Sequence, residues 1–215
     1  RIDVSINLGR RRGAVVSVRF HASDSVREGF AFEPVFSGEI SVQPPTALIA
    51  LASNLDTDSV ILFDKLSGRV VGIVPTGRKP SGMVLAESRR RVYVAIAGDD
   101  SVEVIDIVEQ NIIENLRLES GDAPRELALT PDGSTLLSAN YGSNSVSFID
   151  PTGPFEVDRV SVGNGPNSIL IDSAGRRAYV FNSLGDSISI LDLPRRTVIG
   201  TVRTESEPLR GQFSP

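Results

Sequence analysis

Acidic and amide side chains recur along this chain at places where they could hold a hard cation. Asp56 and Asp58, Asp99 and Asp100, Asn140 and Asn144, and Asn182 and Asp186 fall in four short polar stretches between apolar runs. Clustered oxygens invite a calcium reading, since hard cations take several such ligands at once. The same residue types also make tight turns, by bonding nearby backbone and tolerating left-handed φ. Each of the four stretches needs a turn, so turn formation accounts for the recurrence without metal. A second set, Asp64, Asp106, Asp150 and Asp192, closes an apolar run each time and reads as a hydrogen-bonded turn acceptor.

Other chemistry is sparse. The chain has one histidine, His21, and no cysteine. A metal centre needs several ligands, and a catalytic triad needs a histidine steadied by a carboxylate, so His21 reads as a plain surface or hairpin residue. The lack of cysteine excludes thiol nucleophiles, thiolate metal sites and disulfides. No catalytic residue, cofactor or metal is expected. A formal charge of −5 argues against a nucleic-acid partner, which would call for a concentrated basic stripe. No apolar run approaches the ~20 residues of a membrane-spanning helix.

The elements that position these residues keep a single period. Asp58-Ser59-Val60, Asp100-Ser101-Val102, Asn144-Ser145-Val146 and Asp186-Ser187-Ile188 return at steps of 42, 44 and 42 residues. Phe63-Asp64, Ile105-Asp106, Ile149-Asp150 and Leu191-Asp192 follow in phase, as do Pro80, Pro124, Pro166 and Pro208. A period of ~40–45 residues carrying several short strands marks a β-propeller blade. In the unit from Pro80, strands are expected over Ser81–Ala86, Arg91–Ala97, Val102–Ile105 and Asn111–Leu118, separated by polar or glycine-bearing turns. The units from Pro124 and Pro166 repeat that grammar, and an earlier one is recognisable from Ala47 to Val74, its opening strand obscured by Pro44-Pro45. Each unit is a four-stranded antiparallel meander that needs neighbours to cover its apolar faces.

The run from Pro124 to Asp150, with its Thr-Pro-Asp-Gly turn, Ser-Ala-Asn-Tyr stretch and Ser-Val-Ser-Phe-Ile-Asp strand, resembles the YVTN-repeat β-propeller family. The resemblance covers about Ala47 to Pro215. Tyr93 and Tyr179 keep the repeat's tyrosine, with leucine at the matching Leu51 and Leu137. Glycine stands at Gly77, Gly121 and Gly163, and Glu205 replaces it before Pro208. The resemblance implies an all-β propeller, about four four-stranded blades of a seven-bladed ring, with the sequence a piece of a longer chain whose fifth blade opens near Phe213. Residues 47–215 are assigned to the blades. Residues 1–46 are read as a lead-in segment, with a hairpin around Gly9–Gly13 that supplies ring-closing strands or a degenerate blade.

In propellers, ligands commonly meet the loops that lead into the innermost strands. Here those loops are Gly77–Ser81, Gly121–Arg125, Gly163–Asn167 and Glu205–Leu209, and Arg78, Lys79, Arg125, Asn164 and Asn167 are the expected ligand- or partner-binding residues. The arginines at 89–91, 176–177 and 195–196 go to the opposite rim as solvated or locally paired charge. Tyr93 and Tyr179 are expected to be mostly buried between blades, with the hydroxyl on a polar partner. The expected function is that of a non-enzymatic binding or scaffold protein of the bacterial cell envelope or exterior: periplasmic, surface-bound or secreted, with an upstream lipid anchor as an option. Its partner would be another protein or an envelope component. The alternative is a propeller enzyme, either a lactone hydrolase or a component of a periplasmic oxidoreductase.

Overall fold

Strands form wherever short β-branched runs are bounded by turn residues, and they pair in chain order. The computed structural model describes residues 49–86, 90–153 and 155–213, with one short pairing of β1 (Ile2–Asp3) and β2 (His21–Ala22). The remainder of 1–46, including the expected hairpin and any ring-closing role, lies outside the described residues, as does Arg89. The first sheet has β3 (Ile49–Asn54), β4 (Ser59–Asp64) and β5 (Val70–Pro75). The second has β6 (Pro80–Ala86), β7 (Arg91–Ile96), β8 (Ser101–Asp106) and β9 (Asn111–Arg117). The third has β10 (Pro124–Leu129), β11 (Leu136–Asn140), β12 (Ser145–Asp150) and β13 (Phe155–Ser161). The fourth has β14 (Pro166–Ile171), β15 (Arg177–Asn182), β16 (Ser187–Asp192) and β17 (Thr197–Arg203). All are antiparallel meanders, and no helix occurs among the described residues. The first sheet has three strands among the described residues, and the stretch at Pro44-Pro45 lies outside them.

Because side chains alternate across a strand, each sheet offers one face to the sheet before it and one to the sheet after it. Leu51, Val60, Leu62 and Val74 of the first sheet pack with Val92, Val94, Ile96 and Ile105 of the second. Tyr93, Ala95, Val102 and Val104 turn the other way, onto Leu127, Leu136 and Ile149 of the third. Leu137, Ala139, Val146 and Phe148 then meet Ile169, Ala178, Val180 and Leu191 of the fourth. The apolar core is thus a series of layers between sheets, each worth ~25 cal/mol per Å² of apolar surface buried. The first strands β6, β10 and β14 lie side by side on the inside of the arc. The fourth strands form its outside and leave Ile73, Ile113, Phe155 and Ile199 exposed.

Tyr93 is wholly buried, and its hydroxyl donates to the Pro151 carbonyl at 2.9 Å, as expected. Tyr179 occupies the same register yet is only half-buried. On its side stands no further sheet among the described residues; Phe213 meets its ring edge-on, with centroids 5.6 Å apart. The segment after Pro208 forms no strand there, but its path is that of an innermost strand. Asn167 Nδ2 donates to the Leu209 carbonyl at 3.4 Å, as Ser81 Oγ two blades earlier donates to the Pro124 carbonyl at 2.9 Å.

Candidate functional site

In a four-strand meander the loops between second and third strands, and those running on to the next sheet, emerge at one end. That end carries both the acidic turns and the five expected binding residues. Asp58, Asp100, Asn144 and Asp186 all adopt left-handed backbone, with φ of 47°, 50°, 56° and 43°, so the turn reading holds. Their side chains, however, reach further than a local turn. Asp58 Oδ1 accepts from the Lys79 amide at 2.7 Å, and Asn144 Oδ1 from the Gly165 amide at 2.8 Å. Asp100 takes two amides, Gly121 at 2.9 Å and Ala123 at 2.7 Å. The turns at Asp58, Asp100 and Asn144 therefore clamp the loop that starts the next sheet. Among the described residues no group of three or more His, Cys, Asp or Glu side chains is placed to hold a metal ion.

The second acidic set behaves as read. Asp64 Oδ1 accepts from the Leu66 and Ser67 amides, Asp106 Oδ1 from Val108 and Glu109, Asp150 Oδ1 from Thr152, and Asp192 Oδ1 from Arg195. The amides of Ser67, Glu109 and Arg195, first among their partners, hold Asp64, Asp106 and Asp192 below the usual carboxylate range. The arginines at that opposite end pair locally, Arg195 with Asp192 at 2.7 Å and Arg196 with Asp158 at 3.8 Å.

The five expected binding residues share one end of the molecule without forming one site. Arg78 Nε donates to Asp99 Oδ1 at 2.7 Å and its Nη2 to the Gly98 carbonyl at 2.8 Å. The bond to Asp99 holds Arg78 above its usual range, while the Arg78 amide first and that side-chain bond second hold Asp99 below its own. Lys79 is exposed beside it, with left-handed φ of 57°. Arg125 lies over the Tyr141 ring at 4.8 Å, a cation–π contact. Asn164 is exposed, and Asn167 is committed to Leu209.

Of the five, only Arg78 borders a hollow at this end, a cleft of about 780 Å³ lined also by Gly98, Asp99, Asp100, Ser101, Asn115 and Arg117. Below Ser101, on the same face of β8, stands Glu103, 5% exposed. Its Oε1 accepts from the Gly77 amide at 3.1 Å and from Asn115 Nδ2 at 3.2 Å. Its Oε2 is buried with no hydrogen-bond partner among the described residues, and the same holds for Ser101 Oγ. Burial, the largest influence, pushes the Glu103 carboxyl above its usual value. Gly77 is needed at this point because a Cβ there would stand 2.5 Å from Asp99 Oδ2 and 3.3 Å from Glu103 Oε1.

Sequence reading missed Glu103 because it is a single glutamate inside the strand Val102–Ile105 and belongs to none of the repeated landmarks. In a sheet covered on both sides neither face is outward. The available signal was the register: Ile61, Ser147 and Ser189 hold the matching positions, all of them apolar or small.

Four radially stacked meanders with their first strands inside define a β-propeller. The comparisons agree. A family model described as "Lactonase, 7-bladed beta-propeller" matches residues 64–153, less than half of the chain. A solved structure of hydrazine synthase from Kuenenia stuttgartiensis superposes with a TM-score of 0.71 at 24% identity, over 82% of this chain and 52% of that one. A functionally unknown protein from Desulfotomaculum acetoxidans DSM 771 also gives 0.71, at 16% identity, over 89% of this chain and 64% of its own. This chain therefore spans between about half and two thirds of those structures, and at such identities the likeness concerns the fold. No curated protein matches the sequence significantly.

Proposed function

We propose that this chain is part of a non-enzymatic β-propeller binding or scaffold protein of the bacterial cell envelope or exterior. Its contact surface is the end of the sheets that carries the acidic turns. The observation that carries this reading is the cleft there: Ser101 on its lining and Glu103, the next residue behind it on the same face of β8, each hold a buried polar atom, Oγ and Oε2, without a partner among the described residues. A native protein rarely leaves such groups unsatisfied, and each costs ~1–3 kcal/mol, so an occupant that satisfies them is the economical account. The extracytoplasmic location and the protein or envelope partner rest on the resemblance of the repeat to YVTN proteins.

The test is site-specific photocrosslinking in the source cells. A benzophenone amino acid at Lys79 or Arg125 should trap a defined partner, and one at Arg196, on the opposite end, should not. Equal adducts at both ends, or none at Lys79 and Arg125, would overturn the assignment.

A second reading is favoured by the description of the family matched over residues 64–153: hydrolysis of a lactone, in which water adds to the carbonyl carbon and gives a proton to Glu103, the ring C–O bond breaks, and Glu103 returns the proton to the freed oxygen. Hydrolysis of aldonolactones above background in a pH-stat, abolished by Glu103→Gln, would establish it in place of the first.

A further inference from the structure

We propose that the cleft beside the second sheet receives a guanidinium group from a partner peptide or a small organic cation, with Ser101 Oγ and Glu103 Oε2 as its acceptors. This deepens the binding reading above and rests on it.

The molecule supplies the precedent one sheet further on. Facing the second sheet, β12 and β13 pair Ser147 with Arg159 and Ser145 with Ser161, as β8 and β9 pair Glu103 with Asn115 and Ser101 with Arg117. In that later gap Arg159 fills the space. It grips Asp122 with two bonds of 2.7 Å, binds Glu156 at 2.7 Å, and touches Ser145 Oγ at 3.3 Å. Ser145 is further held by Asn140 Nδ2 at 3.1 Å. In the earlier gap Asn115 replaces Arg159, too short to fill it, and Ile96 replaces Asn140, so Ser101 loses its donor. A carboxyl has been placed on β8 instead, with one oxygen tied down and the other bare. Where the later gap holds its own guanidinium, the earlier one holds acceptors for a guanidinium and an open cleft.

The charges permit a cation. Asp99 and Asp100 share the cleft lining with Arg78 and Arg117, and Glu103 stands buried behind Ser101, so three acidic side chains stand against two guanidiniums. Arg78 is occupied by Asp99 and the Gly98 carbonyl and cannot turn to Glu103 while those bonds last. A planar, forked donor suits two acceptors on one strand face better than an ammonium, which offers a point charge. At about 780 Å³ the cleft also has room for the chain that bears the group.

The experiment is calorimetric titration at pH 8 and low salt with acetyl-arginine amide and agmatine, using acetyl-citrulline amide as the neutral isostere. Saturable binding of either guanidinium, with citrulline at least ~10-fold weaker, is expected from loss of a charge-assisted bond. Binding of the peptide amide alone points to a peptide source; equal binding of agmatine points to a free cation. Glu103→Gln and Ser101→Ala, each checked by melting, should both weaken binding, Glu103→Gln by at least ~10-fold. Equal citrulline binding, binding that survives Glu103→Gln, or a crystal structure at saturating agmatine with only water or Arg117 on Glu103 Oε2 would overturn the site. If probe binding fails while crosslinking at Lys79 persists, the guanidinium site alone falls; if both fail, the reading beneath it falls too.

Discussion

The gap between the second and third sheets and the gap between the first and second are built on one plan and closed differently. In the later gap, Arg159 from the outermost strand meets Asp122 from the connecting loop, and Asp122 is fully buried. Asp122 holds Arg159 above its usual range. In the earlier gap, the loop position matching Asp122 is Arg78, which leaves for Asp99, and the carboxyl sits on the strand as Glu103. The lesson is that a repeat fixes where a charge can be buried without fixing which element must neutralise it. One gap is complete in itself, and the other keeps an acceptor in reserve.

The largest test of that contrast is Arg159→Met. It leaves Asp122 buried and unpaired, and denaturant melts should register a loss of ~3–5 kcal/mol, the range for breaking a buried ion pair. The double variant with Asp122→Leu should regain a large part of that loss. Tyr93, which spans the same closed gap, comes next. Tyr93→Ala should cost ~3–5 kcal/mol on melting, as for loss of a buried aromatic, whereas Tyr179→Ala, half-exposed against Phe213, should cost less than half as much. Equal losses would mean that register alone, without a covering sheet, decides how much a repeat residue contributes.

The turns sharpen the comparison at a smaller scale. Asp100 holds two amides of the later loop, and Asp58 holds one of the earlier. Asp100→Ala should lower stability by ~1–2 kcal/mol and Asp58→Ala by about half that, both measured by urea titration.

Glu103 gives the smallest effect and the most diagnostic. Burial raises its folded-state value above the unfolded one, so the folded chain keeps this proton to higher pH. The charged form therefore costs stability above the folded value, the cost building up as pH rises from the ordinary glutamate value and absent below it. Glu103→Gln should raise the melting temperature at pH 7 by a degree or so, on the order of a surface-sized ΔΔG, and leave it unchanged at pH 3. A gain of the same size at both values would show that the carboxyl's charge is not what the fold resists.

The strands and their ends were legible because three landmarks repeat in phase, and each reports a local event: a turn, a strand end, a proline lead-in. Asp64, Asp106 and Asp192 were read correctly for the same reason, since their partners lie within three residues. Asp58, Asp100 and Asn144 were read only in part. Their left-handed backbone is local, but the amides they hold lie 21 to 23 residues on, in the next sheet's loop. Arg78 and Arg125, expected to bind, stand at the end where the loops into the next sheet emerge, yet their side chains are spent on Asp99 and on the Tyr141 ring. Glu103 carries no repeated motif; its burial shows only when its register is set against Ile61, Ser147 and Ser189.

The 21-residue reach of the clamps has a consequence for synthesis on the ribosome. In every clamp the acceptor is made first: Asp58 before Lys79, Asp100 before Gly121, Asn144 before Gly165. A nascent sheet thus leaves the exit tunnel with the latch for its successor already formed. Chains grow and fold from the N-terminal side at ~5–20 residues per second, so the matching loop arrives one to a few seconds after its latch. Assembly by this rule runs in one direction, and each new blade is received by a finished one.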